Sequence, residues 1–206
     1  MATALRASPV TTSMSVRRLL LTAATGLAVL LPAAPAAAAG GPQPVPSLDI
    51  NRYLGDWYQI ASVPQWFELL CERNTTANYR LNTNGTVRVS NRCTTPWGGG
   101  ITAQGNARVV DKVTGAKLQV TFNRFGDTWL YPSNANYIVI GLGEDYDWAV
   151  ITDSARTSGF VLSRSVTLAP EQRAGVLDSL TANGINPCRL QITRQRGGAT
   201  QSGQFC

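Results

Sequence analysis

Few residues in this chain are equipped for covalent or acid–base chemistry. There are four cysteines, Cys71, Cys93, Cys188 and Cys206, and no histidine. The absence of His removes Ser-His-Asp and Cys-His nucleophile systems and every His-ligated metal. Paired carboxylates remain a chemical possibility, but no Asp/Glu pair stands apart from turn and surface positions. The cysteines are too widely spaced for a zinc site. A thiolate nucleophile needs an unpaired Cys, and the count is even. No catalytic residue, metal or cofactor is expected. The remaining chemistry is non-covalent. Trp66, Phe67, Trp97, Phe122, Trp129 and Tyr131 fall in or beside stretches of loop composition. Large apolar side chains on loops are unfavourable unless they cover something, and a small apolar ligand is one such thing.

The compartment is indicated by the N-terminus. Arg6, Arg17 and Arg18 form a basic segment, Leu19 to Leu31 is an apolar run, and Ala37-Ala38-Ala39 offers small residues for cleavage. This predicts a signal peptide over 1–39, too short in its apolar part for a comfortable membrane span. Arg17-Arg18 hints at twin-arginine export, whereas Val16 and the plain leucines after the pair suit the general secretory route. With no Cys near the cleavage region, lipid attachment is not expected there. The product is expected to be secreted, where disulfides persist. The chain carries 18 basic and 12 acidic residues; loss of the three leader arginines leaves 15 against 12, or +3. That surplus is spread without a run, which argues against a nucleic-acid partner.

These residues need elements to hold them. Residues 40–47 are Pro-rich and read as an extended arm. Short strands then recur, with turn signals between them. The expected strands are 57–63, 76–81, 86–91, 101–111, 116–124, 135–142, 146–152 and 159–165. In the fifth, Leu118, Val120 and Phe122 alternate with Lys117, Gln119 and Thr121, a strand with one polar face. Residues 170–183 change period, with Val176, Leu177 and Leu180 on one stripe, Pro170 at the start and Gly184 at the stop, so a helix is expected. Residues 188–193 read as a final strand. Residues 195–206 form a Gly- and Gln-rich tail that needs Cys206 to hold it.

The links decide the shape. Those after strands two, four and six are short and rich in Gly, Asn and Asp. Those after one, three, five and seven are longer. In an up-and-down meander alternate links fall at opposite ends. The expected fold is therefore all-β: an eight-stranded up-and-down antiparallel β-barrel, one C-terminal α-helix and a short final strand. The long loops form an open rim and the tight turns a closed base. Four cysteines allow three pairings. Cys71 and Cys93 flank one hairpin at the rim, which favours Cys71–Cys93 and leaves Cys188–Cys206 to tie the tail.

Three motifs carry a family resemblance. Gly55-Asp56-Trp57 opens the first strand, Asp145-Tyr146 lies in the turn between strands six and seven, and Arg164 ends strand eight. With the helix and final strand, the chain resembles the lipocalin family, in particular its bacterial and apolipoprotein D-like branch, from about Leu48 to Thr193. Glu144 stands where the family's second motif carries Thr. The resemblance implies a barrel domain over 48–194. Gly55, Trp57, Asp145, Tyr146 and Arg164 are expected at the base as a plug, with Arg164 over the indole. It also implies the rival pairing Cys71–Cys206 with Cys93–Cys188, so both sets stay open.

The expected function is storage or transport of a small hydrophobic ligand, of the fatty acid or lysolipid kind, in an apolar cup. The candidate contact residues are Trp66, Phe67, Tyr79, Trp97, Arg108, Phe122, Trp129 and Tyr131, with Tyr79, Arg80 or Arg108 meeting a head group. A membrane lipid surface is a second expected partner through the rim. The alternatives are a protein-interaction module and a cysteine-dependent enzyme acting on a lipophilic substrate. Avidin-like barrels share an early Gly-x-Trp but lack the Arg, the helix and the last strand.

Overall fold

The computed structural model describes residues 40–206, so the expected signal peptide lies outside the described residues. A one-turn helix α1 (Ile50–Tyr53) leads into strands β1 (Gly55–Ser62), β2 (Arg73–Leu81), β3 (Val87–Thr94), β4 (Gly100–Val109) and β5 (Lys117–Thr121). A small hairpin, β6 (Arg124–Phe125) and β7 (Thr128–Trp129), precedes β8 (Tyr137–Leu142), β9 (Trp148–Thr152) and β10 (Gly159–Ser163). Helix α2 (Pro170–Ala182) and a short β11 (Gln191–Ile192) complete the chain. The sheet runs β10-β9-β8-β5-β4-β3-β2-β1, and β10 pairs back onto β1. Eight antiparallel strands thus close on themselves, and closure removes both sheet edges.

Several boundaries differ from the sequence expectation, each for a local reason. The fifth strand stops at Thr121 rather than residue 124, because the chain turns into the β6–β7 hairpin, which local alternation does not signal. The seventh strand starts at Trp148 rather than Tyr146, since Tyr146 adopts a left-handed turn conformation with φ 59°. The last strand is only two residues long because Pro187–Arg189 form a 3-10 turn with its own side-chain cap from Asn186.

Two apolar layers hold the molecule. Inward residues such as Trp57, Val89, Ala107, Leu118, Val139, Ile151 and Leu162 form the lower interior of the barrel. Outward residues Ile138, Ile140, Val150 and Val161 pack beneath Val176 and Leu180 of α2. Strands β8 to β10 are covered on both faces, which is why they read as continuous apolar runs. Gly141 permits this approach, since a Cβ there would meet Ser179 of α2.

The tail belongs to the fold. Phe205 is buried in the helix-side layer, and the Arg173 guanidinium lies 4.5 Å from its ring centroid. β11 pairs with Ala61 and Ser62 of β1, beyond the part of β1 that β2 covers. Buried Gln195 donates to the carbonyls of Gln59 and Thr75 and bridges the resulting gap. Cys188 is bonded to Cys206 and Cys71 to Cys93. The pairing implied by the apolipoprotein D-like pattern is therefore not adopted. The Cys71 and Cys93 Cα atoms sit 5.4 Å apart across the β2–β3 hairpin, within reach of a local bridge.

Candidate ligand-binding site

The base is closed from the sequence upward. Gly55 has φ 95°, a conformation favouring Gly, and a Cβ there would lie 3.3 Å from the Arg164 guanidinium. Trp57 follows two residues later with its side chain fully buried, its Nε1 donating to the Tyr53 carbonyl at 2.9 Å. The Arg164 guanidinium sits 3.7 Å from the Trp57 ring centroid. It donates to the carbonyls of Asp56, Leu54, Arg52 and Tyr146. Tyr146 receives a hydrogen bond from the Asp49 amide on its hydroxyl, and Arg52 covers its ring at 4.1 Å. Asp145 is exposed and takes no part in this plug. Asp147 does instead, its carbonyl accepting from the Arg164 amide and its carboxylate from Gln172 of α2.

Above the plug lies a cavity of about 880 Å³. Its walls are mainly apolar, with Ala77, Val89, Ala107, Leu118, Val120 and Leu162 among them. Pockets of roughly 300–1,000 Å³ lined this way suit a small organic ligand. The acidic side chains along it are Glu68 and Asp153, both from the end that carries the long loops. Asn91 lines the wall, and its Oδ1 is buried without a hydrogen-bond partner among the described residues.

The eight expected contact residues separate into two groups. Trp66, Phe67, Tyr79, Phe122 and Tyr131 line the cavity. Trp97, Arg108 and Trp129 do not. Trp97 sits in the exposed Pro-Gly loop after β3. Arg108 points out because β4 alternates: Ala107 faces in, so Arg108 faces out, where it bonds Gln119 and covers the Tyr131 ring. Arg80 is likewise exposed, next to inward Tyr79. Trp129 is held on the β6–β7 hairpin beneath Arg124.

The fold brings further residues to the cavity that their sequence context does not single out. The 3-10 turn Trp66–Glu68 hangs Trp66 and Phe67 at the mouth and turns Glu68 inward. Glu68 accepts from Gln59 Nε2 at 2.8 Å and from Ser62 Oγ at 3.1 Å. Burial raises its pKa, and those hydrogen bonds only partly offset the rise. A single acid inside an apolar run, Trp66 to Leu70, was the available signal. Asp153 closes the loop after β9. Burial acts to raise its pKa, but donors from Thr157 and Ser158 win and hold it at about 2. Deeper, Tyr53 and Tyr137 join Tyr79. Tyr137 was legible from its alternation with Val139, while Tyr53 lay in what reads as a polar helical turn.

Comparison with known proteins agrees with this architecture. The family model described as Lipocalin-like domain matches residues 48–195. The chain is 32% identical to outer membrane lipoprotein Blc of Escherichia coli (strain K12) over 154 residues, covering 74% of this chain and 82% of that protein. It is 31% identical to temperature-induced lipocalin-1 of Arabidopsis thaliana over 154 residues, covering 73% and 81%. Apolipoprotein D of Bos taurus is 32% identical over 158 residues, covering 72% and 78%. Among solved structures, insecticyanin from the tobacco hornworm Manduca sexta superposes with a TM-score of 0.60 at 18% identity, covering 77% of this chain and 87% of that one. That likeness concerns the fold. The barrel closed by β10 on β1, the Trp57–Arg164 plug and a domain match spanning most of the chain agree, and the chain belongs to the lipocalin family.

Proposed function

We propose that this protein is an exported, non-enzymatic carrier that holds a small hydrophobic ligand, of the fatty acid or lysolipid kind, inside the barrel. The observation that carries the reading is the cavity itself: about 880 Å³, mainly apolar, closed at the plug and open where the long loops meet. An alkyl chain buried there is stabilised by loss of apolar surface from water, about 25 cal/mol per Å². A charged head stays at the mouth, where water solvates it. All four cysteines are paired, which leaves no thiolate for a pocket-cysteine mechanism. The same disulfides, with the expected leader, support export and secretion.

The rim supports a second contact, with a lipid surface. Trp66, Leu69 and Phe125 are each 80% exposed and Trp97 is 72% exposed, all in the long links between barrel strands at the mouth. Amphipathic aromatics of this kind suit a membrane interface. The test is a fluorescence titration with fatty acids and lysolipids, alongside native mass spectrometry of protein from its own host. Saturable quenching of tryptophan emission and a retained small molecule are expected. No quenching together with no retained molecule would overturn the carrier reading.

A further inference from the structure

The floor of the cavity differs chemically from its apolar walls, and a role for that floor rests on reading the cavity as a ligand site. Three tyrosines from three elements converge there: Tyr53 of α1, Tyr79 of β2 and Tyr137 of β8. Tyr53 packs against Trp57 with ring centroids 5.0 Å apart and stacks on Tyr79 at 5.7 Å. The Tyr53 and Tyr137 hydroxyl oxygens are 2.7 Å apart, and those of Tyr79 and Tyr137 are 3.0 Å apart. Each hydroxyl has one proton to donate and two lone pairs. Two contacts among three hydroxyls use two protons. The third has no acceptor among the described residues. Which oxygen holds it depends on how the chain of bonds is oriented, but the count does not. All three side chains line the cavity, so the spare proton is offered to whatever fills it. A buried donor left unmet is unfavourable, and contents that bring an acceptor are favoured over contents that do not.

Charge narrows the class of acceptor. The charged side chains that reach the cavity, Glu68 and Asp153, stand at its mouth. Arg164 lies against Trp57, with its guanidinium turned onto backbone carbonyls of the base. A carboxylate taken to the floor would be buried with no cation of the described residues on the cavity wall beside it, which is strongly unfavourable. A neutral oxygen carries no such penalty. Burial also holds the phenols neutral, Tyr79 being pushed up to about 12, so they remain donors across the physiological range.

We propose that the hydroxyl cluster of Tyr53, Tyr79 and Tyr137 is a subsite for a neutral acceptor oxygen, a hydroxyl or carbonyl, at the buried end of an otherwise apolar molecule. Such a ligand enters oxygen first. A fatty acid binds the other way round, with its carboxylate at the mouth, and leaves the spare proton unmet.

The test displaces the neutral fluorescent probe N-phenyl-1-naphthylamine with decan-1-ol, decan-2-one, decane and decanoate at neutral pH. The proteins are the wild type and the triple variant Tyr53→Phe/Tyr79→Phe/Tyr137→Phe. The triple variant removes every hydroxyl of the cluster together, so no group is left unpaired. Its affinity for the alcohol and the ketone is expected to fall about 2- to 10-fold, the effect of one neutral hydrogen bond. Its affinity for decane and decanoate does not fall. An infrared measurement on the wild type is independent of any variant's folding. The carbonyl band of bound decan-2-one lies at lower frequency than in hexane if it accepts a hydrogen bond. Equal losses for all four ligands, or no loss for the alcohol, or a ketone band at its hexane frequency, overturns the subsite while leaving the carrier reading intact. Failure of the probe and all four ligands to bind the wild type overturns both.

Discussion

Replacing Arg164 with Met keeps an aliphatic stem over Trp57 and removes the guanidinium. That group donates to the carbonyls of Asp56 at 2.7 Å, Leu54 at 2.8 Å, Arg52 at 3.0 Å and Tyr146 at 3.2 Å. It also lies 3.7 Å from the Trp57 ring centroid. A cation–π contact at a half-exposed site contributes about 1 kcal/mol. The four hydrogen bonds are charge-assisted, but the site is half exposed and water replaces part of them, so together they contribute about 2–3 kcal/mol. The expected loss is therefore about 3–4 kcal/mol, or a fall in Tm of about 6–16 °C for a domain of this size. Arg164→Lys keeps a point charge but not the planar fork that reaches several carbonyls, and should lose about half as much, roughly 2 kcal/mol. Urea denaturation followed by tryptophan fluorescence measures both, with the m-value unchanged. The guanidinium is not part of the cavity wall, so affinity for an apolar probe should stay within about 2-fold while the variant is folded. A loss below about 1 kcal/mol for Met, or a Lys variant as stable as wild type, would refute the account of the base as a plug held by this fork.

Removing the rim disulfide with Cys71→Ser/Cys93→Ser releases a closed loop of sequence separation 22 and should cost about 3 kcal/mol by equilibrium denaturation. The same change should speed ligand release in stopped-flow displacement, because Trp66 and Phe67 hang on the segment it anchors; an unchanged off-rate would count against their place at the mouth. Asp153 has a depressed folded pKa of about 2, so its contribution is complete above the unfolded value of 3.8 and is lost as pH falls toward 2. The shift corresponds to roughly 2 kcal/mol, which solvent screening at this partly exposed carboxylate reduces to about 1 kcal/mol. In Asp153→Ala that part of the acid-side slope of stability should disappear. Glu68 has the opposite sign. Its folded pKa is raised above 4.5 by burial, so its protonated form favours the fold below 4.5 and that stabilisation is lost as pH rises through the folded value. Glu68→Gln, which can still accept from Gln59, should flatten this neutral-side decline in a pH series of denaturation midpoints; an unchanged pH profile would show that Glu68 titrates as though exposed.

The sequence by itself determined the eight strands of the barrel, the alternation of tight and long links, and hence a closed base opposite an open mouth. Hydrophobic period and turn chemistry are local properties, so they survive without coordinates. The Trp57–Arg164 contact was legible for the same reason, since the meander sends the start of its first strand and the finish of its eighth to the same base. Only the tertiary structure decided which side chains face the cavity. Arg108 and Trp129 looked like ligand contacts because of their residue types. Strand alternation turns Arg108 outward, and a hairpin hidden in a long link carries Trp129 away from the cavity wall. The disulfide pairing was also a matter of register, with Cys71 meeting Cys93 across a ladder whose bulge near Asn74 no local pattern reveals. The hydroxyl cluster is the clearest case. Tyr53, Tyr79 and Tyr137 are distant in sequence and lie on a helical turn and two strands that share no direct pairing. Only closure of the barrel brings their oxygens within hydrogen-bond distance.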